Sequence, residues 1–216
     1  MGVWMDFHYK LFGKFRERRM RQFLAIMRPD NEPLLDVGGT EHTWAIDAHG
    51  YGNFPVVMAN VYFHYADSGN PRFSRVQANG CDLPFSPHSF AIIYSNSVIE
   101  HVGDRAAQRK FADELRRVGR KLWVQTPARC FPIEPHFLAP FIHWLPMSWQ
   151  RALVRFTPKG IAEPAAVQGI LKCTRLLNRR EMEECFPDCE ILVERVLGWP
   201  KSYIAVRRTD PAESHA

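Results

Sequence analysis

Apolar and polar positions along this chain alternate between two periods, and the order of the runs says more than any one of them. From residue 7 to 28, apolar side chains at Leu11, Phe12, Phe15, Phe23, Ile26 and Met27 recur at helical spacing, broken only by Arg19. This predicts a helix with one buried stripe. Its other face carries Lys14, Arg16, Arg18, Arg19 and Arg21, read either as a solvated face or as a surface for an anionic ligand or lipid. Pro29 and Pro33 stop the helix. The stretch Pro33-Leu34-Leu35-Asp36-Val37-Gly38-Gly39-Thr40 then reads as a buried strand that ends on an acid and breaks into a glycine turn, where backbone N–H groups come close to a ligand. A short helix over Glu41 to Ile46 follows, with strands at Pro55 to Asn60, Phe73 to Gln77 and Phe90 to Ser95. Residues 104 to 118 put Phe111, Leu115 and Val118 on the inner face of a helix, and Arg120 to Thr126 gives a fifth strand, stopped by Pro127.

The alternation lapses over residues 128 to 172, where prolines at 132, 135, 140, 146, 158 and 164 are interleaved with Phe131, Phe137, Phe141, Trp144, Trp149 and Phe156. The segment is too broken for one long helix and too apolar for a solvent loop, so it is read as a cap over the active face. Phe137, Leu138, Phe141, Ile142, Trp144, Leu145 and Trp149 are candidates for an apolar lid over a hydrophobic or amphiphilic ligand or for a membrane surface. For most of them the expectation is that they complete the core beneath the lid. Regular structure resumes with a helix at Asn178 to Cys185 and strands at Cys189 to Val196 and Ser202 to Val206, whose short joining loop, Leu197 to Lys201, requires an antiparallel pair. Strands alternating with helices imply a parallel sheet covered on both faces. Ligands of such sheets bind at the carboxyl ends of the strands, where Gly38, Asn60, Asn79 and Ser95 to Ser97 converge.

Composition changes this picture little. A chain of 216 residues with 46% hydrophobic and 24% charged residues suits one soluble domain over 1–216, with disorder expected only in the tail from Thr209 to Ala216. None of the five cysteines forms a CxxC pair, which reads as reduced thiols rather than a disulfide framework or a zinc ribbon. With no bilayer-length apolar run and no signal-peptide pattern, the expected location is cytoplasmic, with peripheral membrane contact left open. A net charge of +5 hints at an acidic partner. No basic-aromatic stripe supports nucleic acid.

The order of motifs resembles the class I S-adenosylmethionine-dependent methyltransferases, specifically the small-molecule group with a Leu-Pro-Phe motif. Leu34-Leu35-Asp36-Val37-Gly38-Gly39 is similar to the first motif, Asn79 to Phe85 with Ser89-Phe90 to the Asp-x-x-x-Leu-Pro-Phe stretch, and Asn96 to Val102 to Ser-x-x-x-Glu-His-Val. Glu114 to Val118 and Thr126-Pro127 match the helix before strand five and the turn after it. The resemblance covers roughly residues 33 to 126 and 178 to 207. It implies a Rossmann-like α/β fold: a seven-stranded, mostly parallel sheet in the order 3-2-1-4-5-7-6, strand seven antiparallel, helices on both faces, and the proline- and aromatic-rich cap as an insertion. It implies S-adenosyl-L-methionine as cofactor, with Asp36 among the residues that bind it, Gly38 and Gly39 at its methionine part, Asn60 at the ribose, Asn79, Gly80 and Cys81 at the adenine, and Ser95, Asn96 and Ser97 near the sulfonium.

Three departures stand out. The family's Gly-x-Gly-x-Gly is cut to Gly38-Gly39-Thr40, and Asn60 and Asn79 replace the acids that hold ribose and adenine. An amide oxygen still accepts a hydrogen bond but carries no charge, a loss on the order of 1 kcal/mol each. Methyl transfer needs the nucleophile aligned, water excluded and, for a hydroxyl, a proton removed. His101 beside Glu100, and His136 in Glu134-Pro135-His136, are the candidate bases. Quinone-pathway relatives bind a divalent metal through Glu-x-x-Glu-His; here Ser97 stands in place of the first carboxylate, so no metal requirement is expected. The acceptor expected is a small molecule, hydrophobic or glycan-linked, methylated on O or N. The competing class is a binding or regulatory protein that keeps the fold without turnover.

Overall fold

A computed structural model describes residues 3–45, 54–64 and 66–209. Ile46 of the predicted short helix, residues 210–216 of the predicted tail, and the side chains of Leu11 and Phe12 lie outside the described residues. Nine strands are described: β1 (Leu34–Val37), β2 (Val56–Asn60), β3 (Phe73–Gln77), β4 (Phe90–Asn96), β5 (Gly119–Pro127), β6 (Ile133–Glu134), β7 (Ala139–Pro140), β8 (Glu190–Val196) and β9 (Trp199–Arg207). Seven of them form one sheet in the order β3-β2-β1-β4-β5-β9-β8, and β6 pairs with β7 in a separate small hairpin. Within the large sheet β9 alone runs opposite to the other six strands. Counted along the chain, this is the predicted order 3-2-1-4-5-7-6.

The sheet is buried on both faces because successive side chains alternate between two cores. Leu35, Ile93, Val124 and Ala205 pack with Phe111 and Leu115 of α3 (Arg105–Val118) and with Phe186 on one side. Leu34, Ile92, Trp123 and Ile204 pack on the other with Met20, Phe23 and Met27 of α1 (Val3–Met27) and with Trp44 of α2 (Glu41–Ala45). Helix α3 begins where Asp104 accepts a bond from the Ala107 amide, and α7 (Arg179–Cys185) begins at a capping box between Asn178 and Glu181.

Arg19 is not an interruption on the solvated face of α1: it is 6% exposed and lies on the buried side with Met20 and Phe23. A turn of helix separates Arg19 from Phe15 and from Phe23, which places it in the stripe itself. The final connection is shorter than Leu197 to Lys201. It is the two-residue turn Leu197-Gly198, both at positive φ (49° and 84°), which leaves Trp199, Pro200 and Lys201 in β9.

The cap contains more regular structure than its prolines suggested, in α4 (Met147–Leu153), α5 (Pro158–Ala162) and α6 (Pro164–Cys173). Pro158 and Pro164 each stand in a first helical turn, where the missing N–H costs nothing. Its own small core is Phe137, Ala139, Ile142, Val154, Val167 and Leu171. Of the seven apolar residues assigned mainly to a core, only Phe137 and Ile142 are buried. Phe141, Trp144 and Trp149 are exposed. Among the described residues no helix is long and apolar enough to cross a membrane.

Candidate functional site

Two cavities open at the carboxyl ends of β1 and β4, which lie side by side in the sheet. The first, about 460 Å³, is lined by Gly38, Gly39, Thr40, Asn60 and Arg75, among others. Its volume lies within the usual range for small ligands, about 300–1,000 Å³. The glycines are there for geometric reasons. Gly38 has φ +83°, and a Cβ on it would sit 2.4 Å from Val98 Cγ2. A Cβ on Gly39 would sit 1.6 Å from Asp36 Oδ2. The turn is therefore bare backbone on the ligand side because side chains already press on it from below.

Asp36 is one of those side chains rather than a wall of the cleft. It is 1% exposed, its Oδ2 accepts a bond from Trp44 Nε1 at 2.7 Å, and its Oδ1 has no partner among the described residues. Burial pushes its carboxyl up to about 7, against the opposing pull of the Trp44 hydrogen bond. Asn60 does line the cleft, and its Nδ2 donates to the Gly39 carbonyl at 2.8 Å. It thereby ties the end of β2 to the turn. Across the cleft Arg75 pairs with Glu41, whose carboxyl is held below its ordinary range by a Ser68 hydrogen bond and by Arg75. Neither residue was singled out from the sequence. Arg75 sits in a short polar-apolar strand with no motif, so nothing local marked it.

The expected adenine set is not brought to this cleft. Asn79 Oδ1 accepts from the Cys81 amide at 2.9 Å and so closes its own turn, while Cys81 Sγ lies 3.5 Å from the Ala107 carbonyl. A Cβ on Gly80 would meet the Phe111 ring at 2.5 Å, so that glycine serves the packing of α3. Ser95 is fully buried and donates to the Val37 carbonyl at 2.9 Å, joining β4 to β1. Asp36, Asn79, Gly80, Cys81 and Ser95 line neither cavity.

The second cavity, about 760 Å³, lies between α1, the end of β4 and the cap. Asn96, Ser97, His101 and His136 all line it. Ser97 is held at φ 58°, an unfavourable region for a residue with a Cβ, by its own N–H to the Gln125 carbonyl and its Oγ to Gln125 Oε1 at 3.1 Å. The two histidines meet Nε2 to Nε2 at 3.0 Å. His136 Nδ1 is 2.7 Å from Oε1 of Glu134, a carboxylate that is 1% exposed and whose other oxygen accepts from the Phe137 amide. His101 Nδ1 lies 3.4 Å from Thr174 Oγ1.

Each Nδ1 faces an oxygen, so the two Nε2 atoms share one hydrogen bond, in which one ring donates its N–H and the other accepts. The pair takes one proton readily and resists a second. His136 is accordingly raised above its ordinary value: burial opposes the charge, but the Glu134 hydrogen bond and the nearby carboxylates outweigh it. His101 is pushed down to about 4 by burial first and then by the charge on His136. Glu100, which the motif places beside His101, is fully buried. Thr126 bonds its Oε2 at 2.9 Å, its Oε1 has no partner among the described residues, and burial raises it to about 7. Glu100, His101 and His136 thus bring one carboxylate oxygen and two imidazole nitrogens within 4.8 Å of one another. That is a donor set for a transition metal rather than magnesium. The two nitrogens it needs are those bonded to each other.

Residues 49–121 match the model of a family described as a methyltransferase domain. No curated protein matches the chain. Among solved structures the chain is similar to phosphoethanolamine N-methyltransferase 2 of Haemonchus contortus in complex with S-adenosyl-L-methionine, at 17% identity and TM-score 0.54, covering 82% of this chain and 38% of that one. It is also similar to magnesium protoporphyrin IX methyltransferase of Synechocystis with bound SAH, at 8% identity and TM-score 0.57, covering 96% and 89%. A SAM-dependent methyltransferase of Aquifex aeolicus gives 13% identity and TM-score 0.51, covering 88% and 87%. The chain spans well under half the length of the Haemonchus enzyme. The chain has the fold of the class I S-adenosylmethionine-dependent methyltransferases.

Proposed function

We propose that this chain binds S-adenosyl-L-methionine in the glycine-turn cleft and transfers its methyl group to an oxygen or nitrogen of a small-molecule acceptor in the adjoining cavity. The observation that carries the reading is the juxtaposition itself: a backbone-lined cleft at the end of β1 beside a cavity at the end of β4 that contains a carboxylate-backed histidine pair. The cofactor supplies an activated methyl group when bound, and the remaining work belongs to the chain's own residues. Gly38 and Gly39 offer backbone at close approach. Asn60 Oδ1, with no protein partner among the described residues, is the acceptor available to a ribose hydroxyl.

In the second cavity the histidine pair accepts the proton that a hydroxyl or ammonium nucleophile must lose. The positive charge that results falls on His136, where Glu134 stabilises it as the buried acid does in a catalytic triad. Above the raised pKa of His136 the pair is neutral and ready, and no metal is needed for that step. The test is release of S-adenosylhomocysteine when the purified protein is offered hydroxyl- and amine-bearing small molecules, before and after dialysis against a chelator. Product that survives chelation supports the reading. Cofactor binding with no product on any acceptor would instead favour a binding protein on the same fold.

A further inference from the structure

The acceptor cavity is polarised by charge. Four cationic side chains line it, Arg16, Arg19, Lys159 and Lys201, against one acidic side chain, Glu163, which pairs with Lys159. Arg16, Arg19 and Lys201 belong to one end, where α1 crosses β9. Among the described residues the carboxylate that faces them is Glu194, and three donors share one of its oxygens. Arg19 Nη2 at 3.0 Å, Lys201 Nζ at 2.9 Å and Ser202 Oγ at 2.7 Å all converge on its Oε2. Lys201 is 8% exposed and Arg19 6%, so two buried cations share one carboxylate oxygen. Arg16 adds a third positive charge near enough to depress Lys201, whose affinity for a proton is lowered first by burial and then by Arg19 and Arg16, with Glu194 opposing.

A buried cation normally has each N–H satisfied. Arg19 does not. Its Nη1 donates to Asn96 Oδ1 at 2.6 Å and its Nη2 to Glu194, but its Nε has no partner among the described residues. The Nε lies buried behind the wall, and what describes a seat for an oxyanion is the positive charge that Arg16, Arg19 and Lys201 bring to the cavity lining, since a guanidinium presents donors in the spacing that phosphate and carboxylate oxygens accept.

Resting on the methyltransferase reading for the identity of this cavity, we infer that the acceptor carries an anionic oxyacid group, a phosphate or a carboxylate, held by Arg19, Arg16 and Lys201, with the nucleophile toward His101 and His136. Phe131, Leu138 and Ile170 give the remaining wall an apolar part, beside the polar Asn96, Ser97 and Gln125. The fitting acceptor is therefore an anion with an apolar body, not a neutral hydrophobe.

The probe is inorganic phosphate, titrated calorimetrically into protein saturated with S-adenosylhomocysteine, with acetate as the carboxylate probe and sodium chloride as the ionic-strength control. Phosphate or acetate should bind beyond the chloride effect, and the tighter of the two names the oxyacid. Arg16→Gln, at an exposed position that leaves the packing of α1 intact, should weaken binding roughly tenfold, and Arg19→Gln should remove it. If Arg19→Gln fails to fold, Arg16→Gln and Arg16→Glu carry the test. Equal anion binding in the wild type and both Arg16 variants, or none beyond chloride, overturns the inference and leaves the cofactor reading standing. Arginine-dependent anion binding in a protein that fails to take up S-adenosylhomocysteine keeps the anion seat and removes the methyltransferase reading instead.

Discussion

The two cavities are built on opposite plans although adjacent strands supply both. The glycine-turn cleft is made of near neighbours in sequence: its lining falls within residues 38–75, from the β1 turn and the start of α2 through β2 and the segment after it to Arg75 of β3. The acceptor cavity is assembled from distant segments. Arg19 of α1 meets Asn96 of β4 and Glu194 of β8, and His101 meets His136 of the cap. The first depends on shape, with side chains kept out by packing. The second depends on charge, with buried cations, a carboxylate-backed histidine pair and donors left unsatisfied. The difference teaches that the cleft tolerates little steric change, whereas the cavity should respond mainly to changes in charge and protonation.

The sharpest way to break the comparison is a steric change in the cleft. Gly39→Ala puts a methyl group against Asp36, which is fixed by Trp44 and cannot swing away. Overpacking of this kind should cost roughly 3 kcal/mol and abolish cofactor binding. Urea unfolding and calorimetry check both, and an unchanged affinity would show that the turn is not the cofactor's seat. Next in size, His101→Ala and His136→Ala should each lower turnover roughly a hundred- to ten-thousandfold with little change in cofactor affinity. Unchanged turnover in both variants removes the base assignment.

Glu134→Gln tests the charge logic more finely. His136 is raised by Glu134, so turnover should fall with decreasing pH through a pKa above the ordinary histidine value. Removing the carboxylate should move that acidic limb to lower pH and reduce the rate above it. A purely structural Glu134 would lower the rate without moving the limb.

The smallest effect expected is on stability. Asp36 is raised from 3.8 to about 7 on folding. The folded state therefore holds its proton more tightly than the unfolded chain. Stability from this group is fully present below about pH 4 and is lost as pH rises to about 7. Asp36→Asn keeps an oxygen for Trp44 and removes the buried charge. It should flatten that part of the pH–stability profile and raise stability at pH 8 by on the order of 1 kcal/mol. Thermal melts between these limits read the sign directly, and a variant that keeps the decline refutes the origin assigned to it.

The sequence made the sheet legible because its strands are buried on both faces and its motifs are local. The strands Leu34–Val37 and Phe90–Asn96 follow from apolar runs, and the antiparallel last strand from one short connection. The histidines were also legible, one from a motif and one from flanking prolines, but their direct contact was not. Arg19 was misread because helical periodicity marks a charge within an apolar stripe as an interruption, and only the tertiary neighbours Asn96 and Glu194 give it a function. Asn79, Gly80 and Ser95 were assigned to ligand by motif position, whereas the fold uses them for a turn, for packing and for a strand-to-strand bond. The exposed aromatics of the cap could not be separated from buried ones by composition, since Phe137 and Phe141 differ only in which way a short hairpin turns them.

The most direct measurement is calorimetric titration with S-adenosyl-L-methionine of the wild type, of Asn60→Ala in the cleft and of Arg16→Gln in the acceptor cavity. Micromolar binding that weakens in Asn60→Ala and is unchanged in Arg16→Gln is the expected result. No binding up to millimolar cofactor, or a loss in Arg16→Gln with Asn60→Ala unaffected, would contradict the assignment of the two cavities.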